Sequence, residues 1–122
     1  MTKIMVVDDD KDATALFEEV LKAEGYEPIT LNDSAAAVAV AKREKPDVFV
    51  LDLMMPEPDG FKLCRMLRKE PEFRFTPIII VTALNDTDSR IVAIGAGAND
   101  YLTKPFRLDE LYSSIREQLN NR

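Results

Sequence analysis

Asp8, Asp9, Asp52, Thr82 and Lys104 are the residues of this chain best equipped for chemistry, and each stands at the end of an apolar run. Asp8 and Asp9 follow Lys3-Ile4-Met5-Val6-Val7, Asp52 follows Val48-Phe49-Val50-Leu51, Thr82 follows Ile78-Ile79-Ile80-Val81, and Lys104 lies just beyond Asp100-Tyr101-Leu102. If the runs are parallel strands of one sheet, these side chains meet in the crevice outside the strands' carboxyl ends, where open α/β sheets bind their ligands. Three carboxylates against one ammonium would leave a local charge of about −2, and like charges a few ångströms apart repel by about 1–4 kcal/mol per pair. Either the carboxylates take up protons or a hard divalent cation binds. With oxygen donors only and no histidine in the chain, the expected cation is Mg²⁺, with Mn²⁺ as a mimic. An aspartate beside such a cation can accept a phosphoryl group as a mixed anhydride. Asp52 is the best acceptor because it ends the central strand, while Thr82 offers a hydroxyl and Lys104 a compact ammonium for phosphoryl oxygens. A purely structural cation held by the three aspartates is the competing reading, and it leaves Thr82 and Lys104 without a role.

The elements that must position these residues are legible as five alternating units. Short apolar runs at 3–8, 26–31, 47–52, 77–81 and 99–102 alternate with helical patterns at about 12–24, 34–44, 59–69, 86–96 and 108–120, the signature of βα units on a parallel sheet. Runs 3–8, 47–52 and 77–81 are continuously apolar, as in central strands covered on both faces. Pro28 cannot donate to a ladder and marks 26–31 as an edge strand, with 99–102 at the other edge. Asn32, Asp33 and Ser34 supply cap chemistry for the second helix, Asp86 or Asn85 for the fourth, and Asp10 and Asp12 are acids suited to the start of the first. Leu108, Leu111, Ile115 and Leu119 form a core stripe on the last helix. Asp59-Gly60 reads as loop and cap chemistry at the site's rim. Met54 and Met55 are expected to be exposed beside the site.

Composition narrows the function class. A chain of 122 residues, 46% hydrophobic and 31% charged, suits one domain with a single core. A net charge of −6 argues against direct nucleic-acid binding, which needs a concentrated Lys/Arg face. Cys64 is the only cysteine, so no intrachain disulfide can form and a buried core thiol is the expected reading. No signal peptide or membrane-spanning run is evident, which points to the cytoplasm.

Taken together, Val7-Asp8-Asp9, Leu51-Asp52-Leu53-Met54-Met55-Pro56 with Asp59-Gly60, Val81-Thr82-Ala83, and Tyr101-Leu102-Thr103-Lys104-Pro105-Phe106 closely resemble the receiver domain of two-component response regulators, in order and spacing over essentially the whole chain. The resemblance implies a flavodoxin-like, doubly wound five-stranded sheet in the order 2-1-3-4-5 within one domain, 1–122. It implies that Asp52 accepts a phosphoryl group from a sensor histidine kinase or phosphotransfer protein, and that the chain is a signalling switch rather than an enzyme. It further implies Mg²⁺ held by Asp8, Asp9, Asp52 and the Met54 backbone carbonyl, phosphoryl sensing by Thr82 and Lys104, a small Ala83, a switch formed by Thr82 and Tyr101, and a cis Lys104–Pro105 bond. Phosphorylation is expected to draw Thr82 in, turn Tyr101 inward, and reshape the face of the fourth helix, fifth strand and fifth helix toward an output protein or domain. Homodimerisation through that face would use Arg90, Asp100 and Glu110, with Ser114 where a base is expected. A stand-alone regulator and an N-terminal module fit equally.

Two rivals come from other classes, and a third from within the same fold. A haloacid-dehalogenase-like phosphatase needs a second Asp two residues after the nucleophile, where this chain has Met54. A flavodoxin-like cofactor carrier needs a Gly, Ser or Thr-rich phosphate loop, and Asp8-Asp9-Asp10 would repel its ligand. A phospho-independent receiver-like interaction module shares the fold but finds no support in an intact motif set.

Overall fold

Each apolar run becomes a strand, and each helical pattern a helix. β1 (Lys3–Val7), β2 (Glu27–Leu31), β3 (Val48–Leu51), β4 (Ile78–Thr82) and β5 (Asp100–Thr103) alternate with α1 (Lys11–Ala23), α2 (Ala37–Glu44), α3 (Gly60–Lys69), α4 (Thr87–Gly95) and α5 (Leu108–Asn120) in a computed structural model that describes residues 1–121. All strand pairs are parallel, in the order β2-β1-β3-β4-β5. Alternate residues of the central strands feed two cores. Met5, Val7, Phe49, Leu51, Ile78 and Ile80 pack with α2, α3 and α4, whereas Ile4, Val6, Val48, Val50, Ile79 and Val81 pack against α1 and α5. Two covered faces explain why these runs are apolar throughout. β2, with Pro28 paired to Ile4, is only half-buried along its length, as an edge strand should be.

Local chemistry sets the boundaries. Asp10 caps α1 through the Asp12 and Ala13 amides, Asp59 caps α3 and Asp86 caps α4. Of the trio expected to cap the second helix, only Asp33 does so, accepting from the Ala35 amide ahead of a 3-10 turn at Ser34–Ala36. Asn32 and Ser34 reach other loops instead, because tertiary partners outcompete the local cap. Leu111 and Ile115 are buried, but Leu108 is 46% exposed. It lines a groove with Leu16 and Pro105 rather than joining the core stripe.

Two features fix the carboxyl edge. The ladder runs one residue past the strands, with the Asp8 amide donating to the Leu31 carbonyl and the Asp52 amide to the Val7 carbonyl, both at 3.1 Å. Asp8 and Asp52 therefore leave the sheet from neighbouring strands. Behind Asp52, Gly60 opens α3 so closely that a β-carbon there would lie 2.1 Å from the Asp52 carbonyl oxygen. The Lys104–Pro105 and Glu57–Pro58 peptide bonds are both cis.

Candidate functional site

Lys104 is seated between two buried carboxylates. Its Nζ donates to Asp8 Oδ2 at 2.7 Å and to Asp52 Oδ2 at 3.1 Å, and Asp8 and Asp52 are only 1% and 8% exposed. The remaining oxygens fix their own loops, Asp8 Oδ1 accepting from the Asp10 amide and Asp52 Oδ1 from the Met54 amide. The Lys104 amide donates to the Thr82 carbonyl, which brings the ends of β4 and β5 to the same place. Burial pushes the Asp8 carboxyl above the usual carboxylate range, against the opposing hydrogen bond from Lys104. Burial alone would lower the Lys104 ammonium, but the Asp8 hydrogen bond and the Asp52 charge reverse that and hold it above the ordinary lysine value. Two acids and one base leave the cluster about one negative charge in excess.

Asp8 and Asp52 meet at Lys104, and Asp9 stands at the rim beside them. Asp9 is exposed and stands outside the Lys104 cluster, and among the described residues no three acidic, His or Cys side chains gather closely enough to cage an ion. Consecutive residues leaving a strand point in different directions, so Asp8 turns in and Asp9 faces the rim. The donor set still fits a hard divalent cation. It is all oxygen, carries excess negative charge, and has an unengaged carboxylate at its mouth.

Thr82 is fully buried and Ala83 exposed. The Leu84 amide approaches Thr82 Oγ1 at 3.5 Å, while the Leu84 carbonyl accepts from the Tyr101 hydroxyl at 2.6 Å. One backbone unit thus touches both members of the expected switch pair. Tyr101 is 4% exposed, so it already lies inward rather than waiting to turn. Arg90 lies over its ring, 4.8 Å from the centroid, and this cover together with the Leu84 bond holds it there. Arg90, Asp100 and Glu110, read as a charged dimer set, are engaged within the chain. Asp100 accepts from the buried Ser114 hydroxyl and Glu110 accepts from the Arg107 amide.

Met54 is 56% exposed beside Asp52, as expected, but Met55 is 9% exposed and belongs to the core. Cys64 is buried, and burial pushes its thiol up to about 11. Asn32 is the contributor that sequence reading missed as part of the site. Its side-chain amide donates to the Asp8 carbonyl at 2.8 Å and to Thr14 Oγ1 at 3.0 Å, and nothing in its local sequence distinguishes this from a cap.

The family model described as "Response regulator receiver domain" matches residues 4–116. The chain belongs to this family. This receiver domain is 44% identical over 117 residues to a probable transcriptional regulator, ycf27, of Porphyridium aerugineum, covering 96% of this chain and 48% of that protein. It is 42% identical over 114 residues to response regulator PleD of Caulobacter vibrioides, covering 93% of this chain and 25% of that protein. It therefore spans half or less of the length of these relatives. Among solved structures, it matches the BeF3-activated N-terminal receiver domain of Klebsiella pneumoniae RstA with a TM-score of 0.90 and 32% identity, covering 97% of this chain and 98% of that one. The Francisella response regulator 1452 receiver domain gives a TM-score of 0.90 at 34% identity, covering 99% and 98%. No helix of the receiver domain, among its described residues, is long and apolar enough to cross a membrane.

Proposed function

We propose that this receiver domain accepts a phosphoryl group on Asp52 from a phosphohistidine of a sensor histidine kinase or phosphotransfer protein, and that the acylphosphate controls an output protein or domain through α4, β5 and α5. The observation that carries this reading is Lys104 Nζ within bonding distance of both Asp8 and Asp52. A carboxylate oxygen of Asp52 attacks phosphorus, the phosphorus–nitrogen bond of the donor breaks, and the departing imidazole takes a proton. Lys104 exchanges a carboxylate oxygen for a phosphoryl oxygen, a short movement for a flexible ammonium. Thr82 rotates its hydroxyl toward a second phosphoryl oxygen, and Ala83 leaves the approach unobstructed. Asp8, Asp9, Asp52 and the Met54 carbonyl would hold Mg²⁺, which when bound neutralises the oxygens in transfer.

With Tyr101 already inward, the switch rests on Thr82. Turning its hydroxyl toward phosphate releases the Leu84 amide, and Leu84 carries the change to Tyr101 and the α4 face. An apolar groove of about 480 Å³ between α1 and the β5–α5 connection, lined by Leu16, Phe17, Pro105 and Leu108 and adjoining Lys104, suits docking of the phosphoryl donor. Homodimerisation through α4, β5 and α5 would rest on exposed Ile91, Val92 and Ile94 rather than on the charged set.

The test is incubation with acetyl phosphate and Mg²⁺, followed by intact mass. The expected result is one added phosphoryl group in the wild type and none in Asp52→Asn. Equal modification of both proteins overturns the assignment. Beryllofluoride with Mg²⁺ should shift NMR resonances of α4 and α5, and Thr82→Ala should weaken that shift.

A further inference from the structure

We infer that Asn32 is a positioning residue for the acidic loop, acting through the backbone carbonyl of Asp8. This deepens the reading that the loop binds a divalent cation and rests on it. Asn32 follows β2, 24 residues from Asp8 in sequence, and uses its side-chain amide as a two-ended tie to the Asp8 carbonyl and to Thr14 Oγ1. Thr14 is 5% exposed and donates its own hydroxyl to the Lys11 carbonyl at 3.1 Å. The tie therefore joins the edge strand, the start of the acidic loop and the first turn of α1.

Within the loop, Asp8 Oδ1 accepts from the Asp10 amide at 2.9 Å. The peptide units on either side of Asp9 are thus both restrained, one by Asn32 through the Asp8 carbonyl and the other by Asp8's own carboxylate. Asp9 forms no hydrogen bond among the described residues, so its aim is set by its backbone alone, and Asn32 holds one of the two restraints. Groups that orient ligands without touching the ion typically govern metal affinity by about 10–100-fold. Asn32 is itself exposed, so truncating it leaves the packed interior intact.

Calorimetric titration of the full chain with Mg²⁺ alone tests this, with circular dichroism confirming that each variant is folded at the working temperature. Asn32→Ala should weaken Mg²⁺ binding by about tenfold, while Thr14→Val, which spares the Asp8 bond, should weaken it less. The Asp9 and Asp10 amide resonances of the metal-free protein should also move. A merely structural role would lower Tm yet leave the affinity of the folded protein within about twofold of wild type, and that result overturns the inference alone. Absence of Mg²⁺ binding in the wild type instead overturns the functional reading beneath it.

Discussion

Two partly buried cations sit at opposite edges of the same sheet, and they are satisfied in opposite ways. At the amino edge Arg68 forms no ion pair with a carboxylate among the described residues. Its guanidinium donates to the Gly97 carbonyl through Nε and Nη2, to the Phe73 and Thr76 carbonyls at 2.8 and 2.6 Å through Nη1, and to Asn99 Oδ1 at 2.8 Å. Asn99 Oδ1 also accepts from the Ile78 amide. Burial pulls the Arg68 pKa below the usual arginine value, yet the fork geometry engages every nitrogen. At the carboxyl edge Lys104 is shared between two acids, with charge left over. A guanidinium saturated by fixed carbonyls has one good arrangement, whereas an ammonium between competing acids can trade one oxygen for another at little cost. The fold keeps its rigidity at one edge and its capacity for change at the other.

Breaking the rigid edge should have the largest effect. Arg68→Ala is expected to lower unfolding free energy by about 3 kcal/mol, measured by urea denaturation, and Arg68→Lys should recover less than half because an ammonium lacks the planar fork. If Arg68→Ala costs no more than an ordinary surface substitution, the contrast between the edges is wrong. At the other edge, filling the charge deficit should stabilise. Mg²⁺ at about one hundred times its Kd should add about 2.7 kcal/mol to the wild type and nothing to an Asp8→Asn, Asp9→Asn double variant, read as Tm.

Removing the deficit without metal gives a smaller gain. Asp8→Asn should raise metal-free stability by about 1 kcal/mol near neutral pH, with phosphorylation lost. The pH dependence follows from the upward shift of Asp8. A raised acid contributes stability that is complete below its unfolded value, about 4, and is lost as pH climbs through the folded value. The advantage of Asp8→Asn should therefore be small at acidic pH and grow toward neutrality, and a pH-independent difference would exclude charge as the cause. The smallest effect concerns the lifetime of the modified state. Exposed Met54 and half-buried Leu84 offer no group to position an attacking water, so Met54→Asn should speed loss of the phosphoryl group by about threefold, roughly 0.6 kcal/mol of barrier. An unchanged decay rate would remove that role.

Sequence reading reached the sheet and the Asp8–Asp52–Lys104–Thr82 convergence because both follow from short-range rules. Strands buried on two faces must be continuously apolar, and polar groups at their ends must collect at one edge. The shortfalls arise where a side chain's partner is distant in sequence. Asn32 and Ser34 read as caps, yet Asn32 reaches Asp8 and Ser34 reaches the Pro56 and Pro58 carbonyls. Nothing in Leu67-Arg68-Lys69 marks Arg68 as the clasp of Phe73, Thr76, Gly97 and Asn99. Met55 and Leu108 exchanged their expected environments because burial is decided by which loop folds over which helix.

The missing side chain at position 60 has a wider consequence. Because the Asp52 carbonyl oxygen fills the space a β-carbon would need, the first turn of α3 and the acceptor's main chain behave as one mechanical part. A neighbour pressing on that helix would also press on the reactive carboxyl group. In a saturation library, position 60 should accept no replacement, while Gly95, whose β-carbon would meet nothing within 4 Å, should accept alanine freely.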